Sequence, residues 1–367
     1  MDREKSIVKV SIVGIVVNLV LVAFKAFVGF VTGSIAVILD AVNNLSDALS
    51  SVITIIGAKL AGRAPDKEHP YGHGRIEYLS SVVIAVLVLL AGLTSFKESV
   101  DKILHPSAAN YTTVSLIIIA AAVLTKYFLG RYVSRQGKKL NSQSLIASGA
   151  DATFDAVLSL STLVAAAISL LFHLSVEGYL GVIISVVILK AGMEILMESI
   201  GSIIGLRVDS DLVGRMKETI CSFDHVHGAY DLTLHNYGPE RIMGSVHIEV
   251  DDVLTAREIH YLTRRISAKI YQEFGIILTV GIYASNTEDD EYAAMKERLE
   301  AIAEENPDVL QVHAFYADKE RHMVTFDLVV SFDADSPQAV SEAVTAQMKA
   351  EFPEYVFYPV IDTDVSD

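Results

Sequence analysis

Residues 40–47 read DAVNNLSD, and this polar stretch lies between two apolar ones, GSIAVIL before it and ALSSVITIIGAKLAG after it. A charged group near the centre of a bilayer costs roughly 2.5–3.5 kcal/mol on insertion scales. A membrane span therefore keeps two aspartates and two asparagines together only when they have a use. The stretch predicts a membrane helix that carries a polar functional site.

The composition divides the chain into two halves of different character. The protein has 367 residues, of which 51% are hydrophobic, and a net charge of −16. Residues 1–207 contain 14 acidic and 17 basic side chains, whereas residues 208–367 contain 31 and 12. An apolar membrane half followed by an acidic soluble half is predicted, and the acidic half argues against nucleic-acid binding. Cys221 is the only cysteine, which excludes intrachain disulfides and cysteine metal clusters.

Six segments of the first half are long and apolar enough to span a membrane: 7–31, 34–60, 78–100, 112–133, 145–172 and 176–206. The first is too long for a signal peptide and has no small-residue cleavage site. Basic residues concentrate in the loops after the second and fourth segments, so these loops and both termini are predicted to be cytoplasmic. We expect a multi-pass protein of the cell membrane.

The soluble half shows the same pattern of elements twice. Helical and alternating segments predict an αββαβ domain over 208–286 and a second one over 287–367. The predicted fold class is an α-helical membrane protein with six transmembrane helices, followed by a cytoplasmic α+β ferredoxin-like domain that is duplicated.

Polar residues share faces on two of the predicted spans. Asn43 and Asp47 stand at i and i+4, with Asp40 three residues earlier, and Asp151 and Asp155 form a second i, i+4 pair. Spans two and five offer no intramembrane Lys or Arg to neutralise these carboxylates. The sequence therefore predicts a bound cation in an all-oxygen site.

The loop after the second span, PDKEHPYGHGRIE at 65–77, adds a further candidate site. One turn could direct Asp66, His69 and His73 at a single metal ion, since carboxylate and imidazole suit zinc, manganese or iron. Short histidine-rich loops are common, so this motif gains weight only beside the intramembrane carboxylates.

Together these motifs resemble the cation diffusion facilitator transporters. The likeness rests on GSIAVILDAVNNLSD at 33–47, HPYGHGRIE at 69–77 and the acidic pair of span five, and it covers about residues 1–285 in order. It implies a homodimeric exporter, not an enzyme and without a cofactor, that exchanges a divalent transition metal for protons. It places the site at mid-membrane, between helices two and five.

The resemblance also assigns residues by position. It implies a transport site of Asn43, Asp47, Asp151 and Asp155, with Asp40 supporting it, and a loop metal site of Asp66, His69 and His73. Zinc-carrying members typically have Asp at the position of Asn43 and His at that of Asp151. Oxygen donors in both places predict the manganese branch, because Mn(II) accepts carboxylate and carbonyl oxygens.

The cytoplasmic metal site of zinc-carrying members is only partly retained. His247 and His260 stand at family ligand positions, but Tyr230 and Tyr283 replace expected histidines, so we expect no two-metal site there. His313 and His322 of the second domain either bind metal or are hydrogen-bonded by neighbouring strands.

The sequence thus predicts a proton-coupled Mn(II) exporter that removes manganese from the cytoplasm. Three alternatives stay open at this point. The same transporter could carry Zn(II), Fe(II) or Co(II), since affinity generally places manganese last among these metals. A membrane metal sensor or a passive cation channel would belong to other functional classes.

Overall fold

The computed structural model describes residues 2–32, 35–105, 113–172, 176–286 and 290–363. The chain divides into two compact units. The first comprises Met1–Leu206 with Tyr237–Glu240, and the second comprises Arg207–Asn236 with Arg241–Asp367.

The first unit consists of six long helices: α1 (Asp2–Thr32), α2 (Ile35–Ala61), α3 (Ile76–Leu104), α4 (Thr113–Lys139), α5 (Gln143–Phe172) and α6 (Glu177–Ile204). Among the described residues, five of them, α1 and α3 to α6, are long and apolar enough to cross a membrane. The N-terminal part of α2 carries side chains outside the described set, so the sixth span stays a prediction.

The helices pack mainly in pairs, α1 against α2, α3 against α6 and α4 against α5. Glycines explain the close approach of α4 and α5. A Cβ added to Gly149 would lie 2.5 Å from the backbone nitrogen of Ser134, and one added to Gly130 would lie 2.9 Å from the carbonyl oxygen of Gly149. Any side chain at these positions would push the two helices apart.

A buried ion pair joins α1 to the start of α3. The guanidinium of Arg3 donates to both carboxylate oxygens of Glu77, at 2.8 and 3.0 Å, and the Glu77 side chain is fully buried. Arg3 also donates to the carbonyl oxygens of Leu140 and Asn141, which follow α4. This side chain therefore fixes the relative positions of α1, α3 and the α4–α5 connection.

The second unit contains two three-stranded sheets, each with two helices. The first set is α7 (Ser210–Cys221), β1 (Val226–Asn236), β2 (Ile242–Asp251), α8 (Ala256–Phe274) and β3 (Ile277–Ser285). The second set is α9 (Asp290–Glu304), β4 (Val309–Asp318), β5 (Met323–Val330), α10 (Pro337–Glu351) and β6 (Val356–Thr363). Both sets have the predicted αββαβ order.

The two sheets share their pairing pattern. In each, the first two strands are antiparallel and the last two are parallel, in the orders β1-β2-β3 and β4-β5-β6. Each antiparallel pair is irregular just after the middle of its first strand, where Asp231 and Ala314 have φ of 52° and 55°. A ferredoxin-like classification and an origin by duplication stay predictions, which these shared features support.

Candidate functional site

Three helices bring charged side chains together near their midpoints. Lys126 of α4 donates to the carboxylates of Asp47 on α2 and of Asp155 on α5, the latter at 3.0 Å. The lysine is 3% exposed, and both carboxylates are largely buried. Spans two and five supply no positive charge of their own, but a lysine from a third helix, α4, provides one, so a bound cation is not the sole source of positive charge for these aspartates.

A small cavity lies beside this ion pair. Asp47 and Asp151 both line it, together with Asn18, Ser51 and Ser148. The Asn18 side chain belongs to α1 and is 3% exposed, and its Oδ1 atom has no hydrogen-bond partner among the described residues. A buried carbonyl oxygen without a donor is costly, and a cation in the cavity would satisfy it.

Local helix geometry accounts for this convergence. Asp151 and Asp155 lie one turn apart on α5, so both point toward the same neighbours. The glycine contact between α4 and α5 lies one helical turn beyond Lys126, which brings the lysine within reach of Asp155. The structure thus brings together Asp47, Asp151 and Asp155, three of the four predicted transport-site residues.

Asn43 and Asp40 fall within α2, but their side chains lie outside the described residues. The roles predicted for them, as a ligand and as a supporting residue, stay predictions.

The loop residues Asp66, His69 and His73 also form a cluster whose potential ligand atoms lie within 4.8 Å of one another. His69 Nδ1 and His73 Nε2 each lie 3.5 Å from a carboxylate oxygen of Asp66. The backbone N–H groups of His69 and Glu68 donate to Asp66 and hold the pKa of its carboxyl below the usual value. An ionised carboxylate beside two imidazoles is a suitable donor set for a divalent metal.

The histidines and tyrosines of the second unit that were singled out in the sequence have varied surroundings. His260 is exposed on α8, and His322 is exposed beside Tyr355. His247 Nδ1 lies 2.7 Å from Asp231, and the Tyr283 hydroxyl donates to Asp231 as well.

Sequence reasoning missed two residues of the membrane cluster, Lys126 and Asn18. A signal for Lys126 was present, because an ionisable residue inside an apolar segment such as 112–133 marks a functional site by default. Asn18 gave only a weak signal, since a lone asparagine in a span is also compatible with helix packing.

Comparison with known proteins gives the family. Residues 11–204 match the cation efflux transmembrane domain, and residues 208–282 match the cytoplasmic domain of cation efflux proteins. An uncharacterized transporter of Methanocaldococcus jannaschii is 30% identical over 256 residues, covering 70% of this chain and 90% of that protein.

Two similar proteins come from Bacillus subtilis. The manganese efflux system protein MneP is 26% identical over 77% of this chain and 97% of its own length. The manganese efflux system protein MneS is 27% identical over 72% of this chain and 91% of its own length. With the transmembrane match alone covering more than half of its residues, the chain belongs to the cation efflux, or cation diffusion facilitator, family, whose members are membrane transporters of metal cations and not enzymes.

Proposed function

We propose that this protein exports Mn(II) from the cytoplasm in exchange for protons. The observation that carries the proposal is that three aspartates from two helices lie around one site: Asp47 and Asp151 line a small cavity, and Asp47 and Asp155 accept hydrogen bonds from Lys126 beside it. Buried carboxylates in this number need positive charge, and a transported cation that comes and goes would supply it.

Charge balance within the cluster supports proton exchange. Three ionised carboxylates and one ammonium group leave a charge of −2, which equals the charge that one divalent cation neutralises. When the metal leaves, protons on the carboxylates can restore the same balance. The site would therefore alternate between a metal-loaded and a protonated form without leaving a large uncompensated charge in the bilayer.

The donor atoms favour manganese. Among the described residues lining the cavity, the polar side chains are carboxylates, one carboxamide and hydroxyls, with no imidazole or thiol. Hard oxygen donors suit Mn(II), whereas Zn(II) is well served by nitrogen and sulfur. Two of the similar proteins are named as manganese efflux proteins, which agrees with this choice.

Asp66, His69 and His73 would bind a further metal ion in the cytoplasmic loop between α2 and α3. An ion there would tie the two histidines to the carboxylate and order the loop. The protein would act as a homodimer, with both termini in the cytoplasm.

The direct test uses purified protein in proteoliposomes that contain a pH-sensitive dye. An imposed Mn(II) gradient should drive manganese into the vesicles and protons out of them. Manganese flux without a pH change would mean a passive channel. Metal binding without any flux would mean a sensor, and either result would refute the exchange mechanism.

Metal selectivity provides a separate prediction. Replacing Asp151 with His and Asn43 with Asp should shift transport from Mn(II) toward Zn(II), because one oxygen donor becomes an imidazole while the number of carboxylates stays the same. The measurement is the ratio of Mn(II) to Zn(II) uptake by inverted vesicles. An unchanged ratio in an active double mutant would place selectivity outside these two positions.

A further inference from the structure

A second polar cluster lies within the cytoplasmic unit, where its two αββαβ halves meet. Asp231 comes from β1 of the first half, and His313 and Asp327 come from β4 and β5 of the second. One potential ligand atom from each lies within 4.8 Å of the others, and His313 is 2% exposed. Neither half contains all three residues.

The contact between His313 and Asp231 is close but poorly aligned for a hydrogen bond. His313 Nε2 lies 2.8 Å from Asp231 Oδ1 and 3.8 Å from Asp327 Oδ2. Yet both ring nitrogens of His313 and the Oδ1 atom of Asp231 lack a hydrogen-bond partner among the described residues, although all three atoms are buried. A nitrogen and oxygens that converge in this way are arranged as ligands around a cation.

Neighbouring side chains hold these groups in place. The Tyr283 hydroxyl oxygen lies 2.6 Å from Asp231 Oδ2 and 2.9 Å from Asp327 Oδ2, so its one proton bridges the two carboxylates. His247 Nδ1 lies 2.7 Å from the same Asp231 oxygen. Tyr230 stacks on the His313 ring, with centroids 4.7 Å apart and planes 2° from parallel. Such outer contacts orient ligands in protein metal sites.

The backbone beside the cluster is strained at matching places. Asp231 itself has φ of 52°, and Ala314, which follows His313, has φ of 55°. Both residues lie where strand pairing is irregular. Irregularities of this kind redirect side chains and are frequent beside functional sites, and a positive φ costs non-glycine residues energy. The strained backbone at Asp231 and beside His313 therefore lies where the side chains of these two residues turn into the cluster.

Other contacts fix the two halves against each other. The Asn286 side chain forms two hydrogen bonds with the backbone of Ala317 in β4, at 2.9 and 3.1 Å. Lys296 of α9 donates to Glu249 of β2 at 2.9 Å. The cluster is thus assembled by the packing of the two halves.

We propose that Asp231, His313 and Asp327 bind one divalent transition-metal ion, which links the two αββαβ halves of the cytoplasmic unit. One imidazole with two carboxylates suits Mn(II), Fe(II), Co(II) or Zn(II). The ion would join Asp231 to residues 82 and 96 positions further along the chain and would stabilise the contact between the halves. The site uses ligands from the second half, and it does not depend on the proposed transport mechanism.

The test counts metal ions bound to the purified full-length protein. Wild type should bind one more equivalent of Mn(II) per chain than His313→Ala or Asp327→Asn, as measured from the free Mn(II) signal in electron paramagnetic resonance. His235→Ala, which removes an exposed histidine of β1, should leave the number unchanged. Asp155→Ala should lose the Mn(II) equivalent of the proposed transport site instead. The double variant Asp155→Ala, Asp327→Asn should therefore bind two equivalents of Mn(II) fewer than the wild type.

A second measurement gives the coordination and the stabilisation. Co(II) bound to the wild type should show visible absorption bands that change in His313→Ala, and Mn(II) should raise the unfolding temperature of the wild type more than that of either variant. If His313→Ala fails to fold, Asp327→Asn decides the question, because it keeps the shape of the side chain. Equal metal content and equal thermal shifts in wild type and Asp327→Asn would overturn the proposal.

Discussion

Replacing Asp47 or Asp155 with Ala should abolish Mn(II) efflux while leaving the protein in the membrane. Each substitution removes one carboxylate from the proposed ion site and also one of the two partners of Lys126. The net charge of the cluster would change from −2 to −1 and the ion would lose one ligand, which together greatly weaken the attraction for a divalent ion. We expect at least a hundredfold loss of efflux rate, measured as Mn(II) uptake by inverted vesicles; this corresponds to about 3 kcal/mol.

Two controls separate loss of function from loss of folding. Glu194→Ala removes a carboxylate of α6 that is exposed and pairs with Lys190 on the same helix, and it should transport normally. Asp155→Asn keeps the shape of the side chain but not its charge, and it should be as inactive as Asp155→Ala. Efflux at the wild-type rate in a correctly folded Asp47→Ala or Asp155→Ala protein would remove these residues from the site.

Much of the helical and strand pattern could be predicted from local sequence, because its determinants are local. The segment predicted over 78–100 corresponds to α3 at Ile76–Leu104, and the one over 145–172 to α5 at Gln143–Phe172. Long apolar runs specify such helices whatever their neighbours are. The i, i+4 spacing of Asp151 and Asp155 is likewise a property of a single helix.

The partners of these residues could not be predicted in the same way, because they depend on packing between elements. Lys126 reaches Asp47 and Asp155 only because α4 approaches α5 closely at Gly130 and Gly149. Both glycines are visible in the sequence, but the sequence alone does not show that the helices that carry them pack against each other. The reasoning from spans two and five alone therefore overlooked a charge from a third helix.

The cluster of Asp231, His313 and Asp327 could not be predicted from local sequence either, because its residues are far apart along the chain. Asp231 and His313 belong to different halves, and each looks unremarkable in its own strand. The sequence predicted both halves but left open whether His313 binds metal or is satisfied by its neighbours. Only the packing of the halves brings its ring to Asp231. The two possibilities for His313, metal binding and hydrogen bonding to its neighbours, can then be tested against each other.

The second large effect is expected at Lys126. A metal ion in the proposed site would lie close to its ammonium group, and the two positive charges would repel each other. Two unit charges about 4 Å apart interact by about 4 kcal/mol at an effective dielectric constant of about 20. Removing the ammonium group in Lys126→Met should therefore strengthen Mn(II) binding by at least about tenfold, a change of about 1.4 kcal/mol. The metal should also leave more slowly, so transport at saturating Mn(II) should fall.

The experiment compares Mn(II) affinity and maximal flux for the same purified protein. Lys126→Arg keeps the charge and should stay closer to the wild type in affinity. Lys190→Met removes an exposed lysine of α6 and should change neither quantity. Tighter binding with slower flux in Lys126→Met would identify the lysine as a competitor that drives metal release. Weaker binding with unchanged maximal flux would instead mean that Lys126 only positions Asp47 and Asp155, because a positioning residue adds to affinity and does not oppose the ion.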